Sequence, residues 1–562
     1  MANPNLYKGG VRVAPRVDRE STKDDSLDKI IKCIDDNNSF ILDAGAGSGK
    51  TWSLIETLKY LIKNNGDNYN RLAKNIGCIT YTNVAVEEIK NRIGENEILD
   101  VNTIHKFLWD VIKQYQVELK DIIINNYEDL ESLDDFSVKY KDFREIEKGI
   151  ISHDDVIEIS SKLFENYKKL QRIFIDKYPL VLVDEYQDTH PEVVTIFLDL
   201  IDNEVSKNDF IVGYFGDSMQ SIYEKRAEKI KNDDKLTKIT KESNFRSAGE
   251  IIDLLNHIRT DIEQFPAGEN KKIVGTKYFI YDDTPQDKDL CYEKVKEKLE
   301  DDWGDLKVFF LTHRRIAINA GFENLFEHYN NYYGNRKYRE KLYNKECPLI
   351  SFLADRVEQS ISYYENNNIF ALMDAIDFDF LTNQDKSRLK SIMDELIKIR
   401  ASGRVKDIWE LVFDEKLFVK GDKIKDFQND FEVNSDKKEF YNNIMELKYK
   451  EIINFYNHNE NDSIFSTQHG TKGEEYENVL LVTMARDWSY YNFAEYLTGD
   501  LERLKASIRQ RTQNLFYVSC SRAVKNLAVL YLRENKGVGL TRVKDWFGEE
   551  NVIAVDEFLE SE

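Results

Sequence analysis

The stretch SFILDAGAGSGKTWSLIETLKYLI, residues 39–62, carries three structural instructions in a row. Phe40, Ile41 and Leu42 form a short apolar run that reads as a buried strand. AGAGSGK follows, with glycines at 45, 47 and 49. Leu54, Leu58, Leu61 and Ile62 then recur on one helical face, so the chain continues as an amphipathic helix. A glycine-rich turn between strand and helix is a phosphate cradle. Backbone N–H groups converge there and the helix dipole favours an anion. On this reading Gly45, Gly47, Ser48 and Gly49 wrap a polyphosphate, Lys50 reaches its β- and γ-phosphates, and Thr51 holds Mg²⁺. Ala44 stands where the general pattern has glycine.

Outward from this loop, LVLVDE (180–185) is an apolar strand ending in two carboxylates. Asp184 is expected in the Mg²⁺ shell, and Glu185 as the general base for an attacking water. Further β-like runs are NIGCITYT (75–82) and DFIVGYFGD (209–217), with helical stretches between. That alternation implies an α/β fold, a parallel sheet covered by helices. A second set, KVFFLTH (307–313), DSIFSTQHG (462–470), ENVLLVTMA (477–485) and NLAVLYLRE (526–534), predicts a second such core. Residues 111–176 and 336–460 lack this rhythm and have helical spacing, so both are expected to be mainly helical inserts with solvated charged faces. The expected organisation is a loose arm at 1–25, a first core at 26–110 and 177–238, and a second core at 239–335 and 461–562.

Composition removes several classes. A chain of 562 residues has room for several compact units. With 41% hydrophobic and 32% charged residues it can bury real cores. No apolar run approaches the roughly 20 residues of a membrane span. Met1–Asp25 has no apolar stretch for a signal peptide, and its acids argue against a transit peptide. The cysteines at 33, 78, 291, 347 and 520 form no CxxC, which argues against a disulfide framework, a zinc ribbon and an iron–sulfur cluster. Their use suits a reducing, cytoplasmic compartment. Lys+Arg is 79 against Asp+Glu 102, a net charge of -23. A duplex binder working by general attraction should be basic, so any nucleic acid must be met in a local groove.

The order of the remaining motifs resembles superfamily 1A helicases of the UvrD/Rep/PcrA type. AGAGSGKT (44–51) is similar to their first motif, including its alanine. ITYTNVAVEEIKNRI (79–93) resembles their TFTN-type DNA-contact motif, and NTIHKF (102–107) their T-x-H segment. VDEYQDT (183–189), FGDSMQSIY (215–223), SNFRS (243–247), STQHGTKGEEYENVLL (466–481) and FYVSCSRAVKNLAVL (516–530) follow in the family's order. The resemblance implies two RecA-like P-loop cores with inserts 1B and 2B, ATP and Mg²⁺ between the cores, and single-stranded DNA or a single-stranded tail across their tops. Carried over, Gln220 senses the γ-phosphate, and Arg246 and Arg522 act as arginine fingers, each worth ~10³–10⁵ in rate. Phe245 stacks on adenine and Glu475 approaches the ribose. Candidate strand contacts are Thr80, Tyr81, Thr82, Asn83, Thr103, His105, Tyr223 and His469. Small hydroxyls and amides suit phosphates, and tyrosine offers a stacking face. The family's 3′→5′ polarity is likewise implied by resemblance.

The chain departs from the family pattern in four ways. No glutamine precedes Gln114, so the family's adenine-reading glutamine is missing. Trp52 follows the loop threonine where UvrD-type members often have arginine. Lys225 stands where an aromatic follows motif III, replacing a stack worth ~1–3 kcal/mol with a cation. The inserts are short. No nuclease signature is present, so any cleavage belongs to another chain. Small size and reduced inserts suggest, by family analogy, an anti-phage system of the Gabija type, in which a UvrD-like helicase acts with a partner nuclease. The alternative is a regulatory ATPase that gates such a nuclease and unwinds little. A P-loop enzyme acting on a small molecule fits the paired arginine motifs poorly.

Overall fold

The computed structural model describes residues 24–126, 137–141, 146, 149–201, 209–220, 230, 233–310, 313–331, 342, 347–378, 382–433, 435–460, 465–466, 474–483, 491–533 and 539–561. The first core begins with β1 (Phe40–Ala44), β2 (Ile76–Thr80) and β3 (Leu99–Thr103). A small parallel pair in the first insert, β4 (Lys139–Tyr140) and β5 (Ile150–Ile151), follows. The core then continues with β6 (Leu180–Asp184), β7 (Ile211–Gly216) and β8 (Thr237–Lys241). Its sheet has the order β3-β2-β6-β7-β1-β8, with every pair parallel.

The pleat sorts the side chains between two apolar layers. Phe40, Leu42, Cys78 and Leu182 join Leu54, Leu58 and Leu61 of the helix Lys50–Leu72 on one face. Ile41, Ile79, Val181 and Val183 face the other way. There they share a core with Leu119, Ile123, Val156, Ile159 and Leu163 of the insert, which is therefore welded to the back of the sheet. That insert is not wholly helical, since it holds the β4–β5 pair.

The first sheet also runs past the boundary expected after residue 238. β8 pairs with β1 from Phe40↔Thr237 to Ala44↔Lys241. Lys241 is buried and its ammonium meets Asp24 at 3.2 Å, so the start of the described chain is tied to this edge strand. Of the expected arm at 1–25, residues 1–23 lie outside the described residues.

Between the cores, β9 (Ser243–Asn244) and β10 (Phe265–Pro266) form a short parallel pair. The second sheet comprises β11 (Thr276–Asp282), β12 (Lys307–Phe310), β13 (Phe465–Ser466), β14 (Tyr476–Thr483), β15 (Ala523–Leu532) and β16 (Val552–Ala554). Its order is β13-β12-β14-β15-β11-β16, again parallel throughout. Val308, Phe310, Leu480 and Leu530 pack on the second insert through Leu349, Leu353, Ile408 and Val412. The opposite face, with Phe279, Phe309, Val479 and Val529, is covered by the helices Gly249–Ile258, Ala506–Cys520 and Thr541–Phe547. Ala46 and Met219 of the first core enter this same cluster, so the two cores meet directly at the phosphate loop.

Candidate nucleotide and strand site

β6, β7 and β1 are adjacent, and their carboxyl ends deliver Asp184–Glu185, Asp217 and the loop 45–49 to one place. Ligand sites of open α/β sheets form at that edge. Gly47 and Gly49 have φ of 71° and 80°, a region where a side chain is strained. A Cβ on Gly47 would also lie 2.6 Å from Arg246 Cβ and 2.7 Å from Asn244 Oδ1. A Cβ on Gly45 would lie 2.3 Å from the Gln264 carboxamide. The glycines thus admit close approach by the second core as well as by an anion. Ser48 Oγ is buried without a hydrogen-bond partner among the described residues, and Thr51 is half-buried at the start of the helix.

Lys50 Nζ meets Glu185 Oε2 at 3.3 Å. Burial pulls the Lys50 ammonium down, but Glu185, Asp217 and Asp184 outweigh it and hold its pKa above the ordinary value. Glu185 has φ 52°, rare outside glycine, which turns its carboxylate into the cleft. Its backbone N–H donates to Asp184 Oδ1 at 3.0 Å. Gln187 links the carboxylates: its amide donates to Glu185 Oε2, and its Oε1 accepts from the Asp217 N–H at 3.1 Å. Gln220 donates to Asp217 Oδ2 at 2.8 Å. Lys50, Glu185 and Gln220 therefore belong to one hydrogen-bonded chain.

The second core supplies the cations. Arg522 is buried, and its Nη1 donates to the Glu474 carbonyl at 3.3 Å. Its Nε and Nη2 are buried without a hydrogen-bond partner among the described residues. Burial and then the neighbouring Arg246 push its pKa down to about 10, against the opposing pull of Glu185 and Asp217 across the cleft. Arg246 Nε binds Glu475 Oε2 at 2.9 Å, and its Nη1 donates to the Ser521 carbonyl at 3.2 Å. Arg246, expected at a phosphate, and Glu475, expected at a ribose, thus hold each other here. Phe245 is half-buried, and its N–H donates to the Gly47 carbonyl at 2.8 Å.

Four further residues clamp this seam. Asn244 Nδ2 and Gln264 Nε2 each donate to the Ala46 carbonyl at 3.0 Å. The Ala46 N–H donates to Tyr517 Oη at 3.0 Å. Arg259 reaches Asp217 and Asp43. Asn244 and Tyr517 lie inside motif strings quoted above. Gln264 and Arg259 belong to no motif, and only tertiary contact reveals them.

Among the expected strand contacts, Tyr81, Thr82 and Asn83 are exposed together at the start of the helix Asn83–Ile93. Thr82 Oγ1 caps that helix by accepting from the Ala85 N–H at 3.2 Å. Thr80 corrects its expectation: it is buried, and its hydroxyl donates to the Thr82 carbonyl at 3.0 Å, so it shapes the loop from inside. Thr103 is half-buried ahead of the helix Ile104–Ile112. The His105 ring sits edge-on to His153, with centroids 4.8 Å apart. Tyr223 and His469 lie outside the described residues. Among the described residues no helix is long and apolar enough to cross a membrane, and no group of three or more His, Cys, Asp or Glu is placed to hold a metal.

Comparison with known proteins agrees with this arrangement. The family profile described as an AAA domain matches residues 28–226. Gabija protein GajB of Bacillus cereus (strain HuB5-5) is 28% identical over 96% of this chain and 99% of its own length. ATP-dependent DNA helicase Rep of Buchnera aphidicola subsp. Schizaphis graminum (strain Sg) is 29% identical over 40% of this chain and 42% of its own. ATP-dependent DNA helicase PcrA of Staphylococcus epidermidis (strain ATCC 35984) is 26% identical over 46% and 43% respectively. The chain thus matches less than half the length of these Rep and PcrA relatives. Fold, motif order and likeness together place it among the UvrD-like helicases of superfamily 1. Within that class, its likeness over nearly the full length is to a Gabija protein.

Proposed function

We propose that the chain is an ATP- and Mg²⁺-dependent motor that moves along single-stranded DNA with 3′→5′ polarity. The observation that carries this reading is Arg522. Two of its nitrogens are buried without a hydrogen-bond partner among the described residues, beside a glycine cradle and in the field of Glu185. A buried donor left unpaired costs ~1–3 kcal/mol, and a γ-phosphate would satisfy both. The lone Ser48 Oγ and the strained glycines fit the same anion. Thr51 and Asp184 suit Mg²⁺, which takes few protein oxygens and, when bound, neutralises charge on the β- and γ-phosphates.

Lys50 then shifts from Glu185 to the phosphates, which frees the carboxylate to take a proton from the attacking water. Gln220 orients that water. Arg522 and Arg246 stabilise the charge that builds on the transferred group. Hydrolysis releases the seam, and the strand held by the exposed Tyr81–Asn83 edge and the second core advances. The test is ATPase turnover with and without single-stranded DNA. Turnover should rise many-fold with DNA and vanish in Lys50→Ala and Glu185→Ala. Equal rates with and without DNA would defeat the motor.

A second reading is favoured by the full-length likeness to GajB. The chain would be a nucleotide- and DNA-responsive subunit that gates a partner nuclease in cytoplasmic anti-phage defence, with little unwinding of its own. DNA-stimulated hydrolysis without strand displacement, restored by a nuclease encoded beside it, selects this reading.

A further inference from the structure

Arg259 lies just past the helix Gly249–Ile258 of the second core, yet its side chain ends in the first. It is buried, with its guanidinium among three carboxylates. Nη1 donates to Asp217 Oδ1 at 2.7 Å, and Nη2 reaches Asp43 Oδ1 at 3.3 Å and Ser218 Oγ at 3.4 Å. Nε donates to Asp261 Oδ1 at 2.7 Å, and the guanidinium lies 5.8 Å from the centroid of the Tyr517 ring. Asp43 is the penultimate residue of β1, just before the phosphate loop, and Asp217 follows β7. A buried ionic cluster is weak evidence for stability, because desolvation offsets most of its attraction. Its connections are more informative. The second oxygen of Asp217 holds Gln220, and the Asp217 N–H holds Gln187, which holds Glu185.

We propose that Arg259 is a positioning residue that makes hydrolysis conditional on docking of the second core. Docked, Arg259 fixes the Asp217 carboxylate, and Asp217 in turn fixes Gln220 and the Gln187–Glu185 pair. Undocked, Asp217 loses its hydrogen-bonded cation, and Gln220 is left on a carboxylate that Arg259 no longer fixes. This rests on the ATPase reading above and adds a coupling route separate from the arginine fingers.

The test is steady-state ATPase with single-stranded DNA for Arg259→Gln, Asp217→Asn and the double variant. Arg259→Lys serves as the conservative rescue, and Asp261→Asn as a control at the one carboxylate on the second-core side. Arg259→Gln should lower kcat about tenfold or more while the KM for ATP stays within about threefold, because positioning is lost and ground-state binding is kept. Arg259→Lys should recover part of the loss, and Asp261→Asn should stay within about twofold of wild type. The double variant should be no worse than Arg259→Gln alone, as for residues acting through one link. Unchanged kcat in Arg259→Gln, a rise in KM alone, or multiplied losses in the double variant would each overturn the proposal. If Arg259→Gln does not fold, the same cycle is read with Arg259→Lys. A wild type that hydrolyses ATP without responding to DNA would sink the motor reading, while the Arg259 effect on basal kcat would still be measured.

Discussion

Arg522 is a charge kept dry with little to bind. The fold lowers its proton affinity, so the unfolded chain binds that proton more tightly. The resulting stability penalty is fully present below about pH 10 and fades only as pH climbs from there towards the arginine's ordinary value. Arg522→Met should therefore raise the Tm by a few degrees at neutral pH while cutting hydrolysis by ~10³ or more. A lower Tm in this variant, read by calorimetry, would refute the penalty. Gly47 has the opposite character. Its φ of 71° and the 2.6 Å approach of Arg246 Cβ leave no place for a methyl group. Gly47→Ala should lose ~1–2 kcal/mol to backbone strain alone and nearly all nucleotide binding, measurable by titration with a fluorescent ATP analogue. Lys50, Glu185, Gln220 and Arg522 stood out in the sequence as members of motif strings, and the structure gathers them at one seam. Gln264 and Arg259 did not stand out, because their roles exist only once the second core is docked. Thr80 was misread because a motif string does not show which way a hydroxyl turns.

At the scale of elements, β1, β6, β7, β14 and β15 were readable as apolar runs because both faces of a central parallel strand are covered. β3 (LDVNT) and β8 (TKITK) lie at the two edges of the first sheet, are mostly polar, and carry no such run. β11 (TKYFIYD) escaped notice for a related reason: polar residues flank its apolar centre. The second insert contains a π-helical stretch, Phe352–Glu358, that ends with Glu358 turned inward. Burial raises the Glu358 carboxyl, and Arg400 opposes this through bonds of 3.1 Å from Nε and 2.6 Å from Nη2. Arg400→Met strands that carboxylate and should cost ~3–5 kcal/mol in urea unfolding. Adding Glu358→Leu should recover most of the loss. If the double variant is no more stable than the single, the pair is not the source of the cost.

At the scale of the molecule, a net charge of -23 sets the terms of DNA binding. The exposed edge proposed to meet a strand, Tyr81 to Asn83, is made of a ring, a hydroxyl and an amide, none of them cationic. Each neutralised phosphate of a single strand contributes about -0.7 to the slope of log affinity against log salt. Affinity for single-stranded DNA should therefore fall with a slope shallower than about -3. A slope near -10 in fluorescence anisotropy would show that a basic surface, not this edge, does the binding. The order of strands in the second sheet bears on how the molecule is made. β11 and β12 are consecutive in the chain yet never touch; each waits for β14 or β15, which lie far downstream. On the ribosome, the first sheet can close once Lys241 has emerged. The nascent second half must hold Phe279 and Phe309 uncovered through the synthesis of some two hundred more residues, a long exposure for strands of this kind. Slow translation or scarce chaperones should thus cripple the back half of the molecule first.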